Sequence, residues 1–92
     1  MSIPLSKKGN TKIIPYFNGQ IVKLYNTSIV IFDEKQITLN SGGYQTSTTK
    51  NRMNQTSTEY NMGFYVWQKK GRWFVNFQGE EMEFFDGMEL TR

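Results

Sequence analysis

Neither cysteine nor histidine occurs in this chain of 92 residues. No disulfide supplements the core, and no thiolate is present to bind metal or attack a substrate. The usual general base and the commonest soft metal ligand are missing too. Alanine is absent, and leucine is confined to Leu5, Leu24, Leu39 and Leu90. No apolar run approaches the roughly 20 residues of a membrane helix. Met1–Lys12 lacks the apolar centre of a signal peptide. These absences point to a soluble, cytoplasmic, non-enzymatic protein without cofactor or metal and with no membrane partner.

What is present is strand chemistry. Aromatic residues make up 15% of the chain, with seven Phe, five Tyr and two Trp. Rings and β-branched side chains fit a pleated, half-buried surface. The length suits one domain over residues 1–92, which buries a modest core. Charge is unevenly placed. Residues 1–79 carry ten Lys/Arg against Asp33, Glu34 and Glu59, a balance of +7. Residues 80–92 carry Glu80, Glu81, Glu83, Asp86 and Glu89 against Arg92, a balance of −4. Two oppositely charged surfaces follow, unless the acidic end simply offsets its own basic neighbours.

Residues 1–10 read as a flexible arm. Lys12–Phe17 reads as a strand that Pro15 keeps short or at an edge. Asn18-Gly19 is a type I′ hairpin signal. Gln20–Tyr25, Ser28–Phe32 and Gln36–Asn40 follow as strands, with turns at Asn26-Thr27 and Asp33-Glu34-Lys35. The segment from Thr46 to Tyr60 loses the two-residue alternation. It reads as one short helix over Thr48–Tyr60, capped by Thr46 or Ser47 and stopped at Gly63. Its inward stripe would be Thr49, Met53, Thr56 and Tyr60. Strands then return over Phe64–Lys69, Arg72–Phe77, Glu81–Phe85 and Met88–Thr91, with glycine turns at Gly71, Gly79 and Gly87. The fold class is mainly β (α+β): a small curled antiparallel sheet or barrel-like meander of six or seven strands with one short helix. Both faces of Phe64–Phe77 carry rings. A helix or a second copy of the chain must cover one of them.

Three groups of residues bear on function. Ser41, Gly42 and Gly43 precede a hydroxyl run with Thr48 and Thr49, then Lys50 and Arg52. Glycines permit close backbone approach, and hydroxyls and a helix N-terminus favour anions. Lys50 and Arg52 would add charge to such a corner. The plain alternative is a turn followed by helix-capping threonines, since no nucleotide-binding glycine motif is present. Trp67 anchors the second group, with Tyr65, Lys69, Lys70, Arg72 and Phe74. Rings with flanking cations stack bases and track phosphates, although rings at strand spacing also build cores and oligomer contacts. The third is the acidic end, whose spacing matches no calcium loop and which reads as a wet edge strand.

A resemblance adds to this. Leu39, Asn40, Gly42, Gly43, Tyr44, Thr46, Thr48, Thr49, Lys50, Arg52, Asn54 and Gln55 follow a Leu-Asn-Ser/Thr-Gly-Gly-aromatic…Thr-Thr-Lys-x-Arg-x-Asn-Gln pattern. Gln68, Gly71, Trp73, Val75, Asp86 and Gly87 continue it. From Ile37 to the C-terminus the chain resembles a family of small uncharacterised proteins encoded by tailed bacteriophages. The resemblance implies a phage origin and a place in the host cytoplasm, and carries no activity. Taken with the residues, it leads to one expectation: a non-enzymatic phage accessory protein binding an anionic ligand, nucleic acid or nucleotide. The rival is a protein-interaction or virion-associated module that binds a host or phage protein through its aromatic sheet face. A homo-oligomer is expected in either case.

Overall fold

The computed structural model describes residues 9–92, so the expected arm at residues 1–10 lies almost wholly outside the described residues. Eight strands and one helix form two antiparallel sheets rather than a closed barrel. The first sheet takes β1 (Thr11–Tyr16), β2 (Gly19–Leu24), β3 (Thr27–Phe32) and β4 (Gln36–Leu39) in chain order, and then β8 (Met88–Thr91). The second sheet is β5 (Phe64–Lys69), β6 (Arg72–Phe77) and β7 (Glu80–Glu83). Helix α1 (Ser47–Glu59) joins them. Pro15 sits on β1, an edge strand, where its missing N–H costs no ladder bond.

One core lies between the sheets. Val22, Val30, Ile37, Leu39 and Leu90 come from the first sheet, and Phe64, Val66, Trp73 and Val75 from the second. Met53 of α1 joins them. Each fully buried aliphatic side chain contributes about 1.5–3 kcal/mol by leaving water. The inward stripe of α1 is the expected one: Thr49, Met53 and Thr56 are buried and Tyr60 packs partly. Thr46 caps the helix, its hydroxyl accepting from the Thr49 N–H. The stop differs from expectation. Asn61, not Gly63, takes the left-handed position after the helix, at φ +54°. Met62 N–H donates to Ser57 O and Asn61 N–H to Thr58 O, the paired bonds of a Schellman end. Asparagine tolerates this backbone almost as well as glycine.

Three further expectations are corrected. Among the described residues there are eight strands rather than the expected six or seven, and Met88–Thr91 pairs with β4 as a full member of the first sheet. It forms no hairpin with β7. Phe84 turns inward against Trp73, with ring centroids 5.4 Å apart, and carries the chain across to the other sheet. The expected strand Glu81–Phe85 accordingly ends at Glu83. Nor do Asn18 and Gly19 make the first turn. Gly19 is already paired with Tyr16 in the ladder, and Phe17 takes the positive φ at +50°. The Lys70-Gly71 and Gln78-Gly79 turns, by contrast, have both residues at positive φ, as type I′ geometry requires. At the β3–β4 turn the Asp33 carboxylate accepts the Lys35 and Gln36 N–H groups. Those bonds hold its pKa below the ordinary carboxylate value.

Candidate functional site

A cleft opens where the β2–β3 turn meets the segment entering α1. It holds about 440 Å³ and is lined by Leu24, Tyr25, Asn26, Thr27, Ile29, Ser41, Tyr44, Thr46, Thr48 and Thr49. Tyr25 is 72% exposed and Tyr44 67% exposed, so both rings stand at its rim. Tyr25 adopts φ +54°, held by a bond from its N–H to Asn10 O. Its ring is presented from a strained turn rather than packed inward.

The opposite wall is built by a chain of short bonds. Asn40 Oδ1 accepts the Gly42 N–H at 2.8 Å, and Tyr44 N–H returns to Ser41 O. Gly42 and Gly43 pass through this turn at φ +64° and +86°. A side chain on Gly42 would also meet Thr27 Cγ2 at 2.7 Å, so this glycine is required twice over. Ser41 is 1% exposed, and its N–H and hydroxyl both donate to Asp86 Oδ1, at 2.8 and 2.7 Å. Asp86 is therefore an anchor between the β7–β8 connection and the cleft wall. Replacing Asp86 with Ala should cost about 1.5–3 kcal/mol, the usual worth of hydrogen bonds to a charged group. Asn at that position keeps one acceptor and should lose roughly half as much. Urea denaturation of the two variants measures the difference, and unchanged midpoints would show that Ser41 finds other partners.

At the helix end, Lys50 N–H bonds Thr46 O and Thr49 N–H bonds the Thr46 hydroxyl. The Ser47 and Thr48 N–H groups precede any intrahelical acceptor. No acidic residue occupies the first turn. The Thr48 side chain is exposed beside these donors. The cleft thus combines ring faces, hydroxyls and the positive end of a helix, and its lining contains no charged residue.

Of the residues singled out in the sequence, Ser41, Thr48 and Thr49 line the cleft, and Gly42 and Gly43 shape its wall. Lys50, Arg52 and Trp67 do not line it. Lys50 Nζ reaches Gln68 Oε1 on β5 at 3.4 Å, and Arg52 Nε donates to Thr11 Oγ1 on β1 at 3.2 Å. Two residues apart on α1, these two cations leave opposite sides of the helix and reach different sheets. Trp67 lies on the solvent face of β5, stacked on Phe74 with centroids 4.8 Å apart, and its Nε1 donates to Asn76 Oδ1. Glu83 pairs with Arg72 on that face, which lowers its net positive charge. The acidic residues divide between β7, the following loop and β8, and among the described residues no three converge on a metal position. Sequence reasoning passed over Tyr25 and Tyr44 as site residues. Their signal was position: each follows or precedes a turn residue where a core ring is out of place.

The phage character read from the motif is now testable against known families. The Kyanoviridae Gp96 protein family matches residues 5–91. The chain belongs to that family. The match takes in the first four strands as well as the region of the motif. No curated protein and no solved structure matches this family member. None of its described helices is long and apolar enough to cross a membrane.

Proposed function

We propose that this Gp96 family member is a non-enzymatic phage accessory protein of the host cytoplasm that binds a nucleotide, free or within a single strand, in the cleft beside α1. One observation carries the reading. Two exposed tyrosines flank hydroxyls at a helix N-terminus that has unused N–H groups and no acidic side chain. A base stacks on a tyrosine ring, and a phosphate takes the Ser47 and Thr48 N–H groups. The volume lies within the range of small-ligand sites. Lys50 and Arg52 contribute at most long-range attraction from their sheet-facing positions.

Calorimetric titration with mononucleotides and short single-stranded oligonucleotides tests this. Tyr25→Ala with Tyr44→Ala should weaken binding by roughly tenfold or more, since stacking is worth about 1–3 kcal/mol per base. Stability should change by less than about 1 kcal/mol, because both rings are exposed and the strained Tyr25 backbone is equally strained with alanine. Absence of binding for every nucleotide tried would overturn the proposal. A second reading is favoured by the outer face of β5–β6, where Tyr65 is 57% exposed beside the Trp67–Phe74 stack. Rings of this kind anchor protein interfaces, including those of virion-associated modules.

A further inference from the structure

The outer face of the first sheet has a composition that water does not select. Strand register places Ile14 beside Ile21, Ile21 beside Ile31, Ile31 beside Thr38 and Thr38 beside Glu89. Directly opposed residues share a face, so this is one continuous row across all five strands. The solvated face of an antiparallel sheet ordinarily carries polar residues at such positions. Here three isoleucines lie side by side. Ile14 is 38% exposed and Tyr16, two residues along the same strand face, 44%. Phe17, at the adjoining turn, is 91% exposed and packs only edge-on against Tyr16, centroids 4.6 Å apart. The helix and the second sheet share the core on the opposite face, with Val22, Val30 and Ile37.

The charges bordering the row are asymmetric. Lys12 opposes Lys23 on the β1–β2 side, one step along the strands. Glu89 closes the row on β8, accepting from Gln36 Nε2 at 2.6 Å. Base at one margin and acid at the other make the face complementary to itself. We propose that this face binds a second copy of the chain. A two-fold axis lying between the sheets and running along the strands sets β1–β2 of one copy over β4–β8 of the other. The isoleucine rows then meet at the centre, and the lysines of each copy approach Glu89 of the other on both sides. Self-complementarity of this kind is what a two-fold interface demands. Five strands about 4.8 Å apart give a face roughly 24 Å wide, about 20 Å long across the six-residue strands β1 to β3 and about 13 Å across the four-residue strands β4 and β8. That is small for a permanent dimer, so the association should be reversible and concentration-dependent. The surface is separate from the cleft, and neither proposal depends on the other.

Sedimentation equilibrium of the full chain, from about 1 to 500 µM, reads the result. The mass should rise from 10.8 kDa toward twice that value. Glu89→Lys should weaken dimerisation about tenfold or more by setting like charges opposite one another. Adding Lys12→Glu and Lys23→Glu to that variant should restore the dimer, which a merely damaged fold would not do. Ile14→Lys, checked by circular dichroism for an intact fold, should be monomeric. Wild-type protein that stays monomeric throughout the range overturns the proposal. So does a dimer indifferent to both Glu89→Lys and Ile14→Lys, because it must use another face.

Discussion

Replacing Gly19 with alanine is expected to cost at least about 3 kcal/mol and to lower the melting temperature by roughly 12 °C or more. The reason is distance. A Cβ at this position would lie 1.8 Å from Phe32 O, 2.7 Å from its carbonyl carbon and 2.8 Å from Asp33 Cα. All three are backbone atoms at the end of β3 and the residue after it, so no side-chain rotation relieves the clash. The β2–β3 ladder must open, and Phe32 moves with it. Its ring is 8% exposed and tilts onto Tyr60 with centroids 4.9 Å apart, so the disturbance reaches the core. Gly43 supplies the contrast. It sits at φ +86° with open space where a Cβ would go. Alanine there meets only backbone strain, about 1–2 kcal/mol. Thermal melts of the two variants, followed by circular dichroism, separate the cases. A Gly19→Ala protein that melts within a few degrees of wild type would show that the approach of Phe32 to Gly19 is not as close as described.

Gly19 also shows where the sequence was misleading. Asn-Gly is a strong turn signal, yet the glycine serves the strand and Phe17-Asn18 makes the turn. A local rule cannot see a close approach from Phe32, thirteen residues further on. Elsewhere local rules sufficed. Alternation located the strands, and the capping threonine and the Thr49–Met53–Thr56 stripe placed the helix within a residue of its bounds. Partition into two sheets was not legible, because it depends on where Phe84 goes. A buried ring between two acidic segments reads the same whether the chain doubles back or crosses over. The cleft was half legible. Ser41, Thr48 and Thr49 are where the glycine-hydroxyl pattern put them. Lys50 and Arg52 left the site because two residues of helix turn a side chain by about 200°, and each cation found a strand on its own side.

The same geometry governs the other large effect. Lys50, Asn54 and Ser57 recur at four- and three-residue spacing, so they share a face of α1, and that face lies along the open edge of β5. Ser57 Oγ accepts the Phe64 N–H at 2.9 Å. Asn54 Oδ1 accepts the Val66 N–H at 2.6 Å, while its Nδ2 donates to Val66 O at 2.8 Å. One side-chain amide thus imitates the backbone of a missing strand. Val66 is fully buried, and its N–H and C=O would otherwise lack partners at a sheet edge. Asn54→Ala is expected to cost about 2–6 kcal/mol, from two backbone groups left unsatisfied at about 1–3 kcal/mol each. Ser57→Ala leaves a single N–H and should cost about half as much. Denaturant melts give both values, and hydrogen exchange at the Val66 amide should accelerate in the first variant with little change at the β2–β3 amides. If Asn54→Ala melts like wild type, water satisfies the edge and the asparagine is dispensable to the fold. The expected loss would instead establish that Asn54, which ends the Lys-x-Arg-x-Asn run of the motif, serves to seal a sheet edge. Ligand recognition would then fall to the tyrosines and hydroxyls on the other side of the helix start.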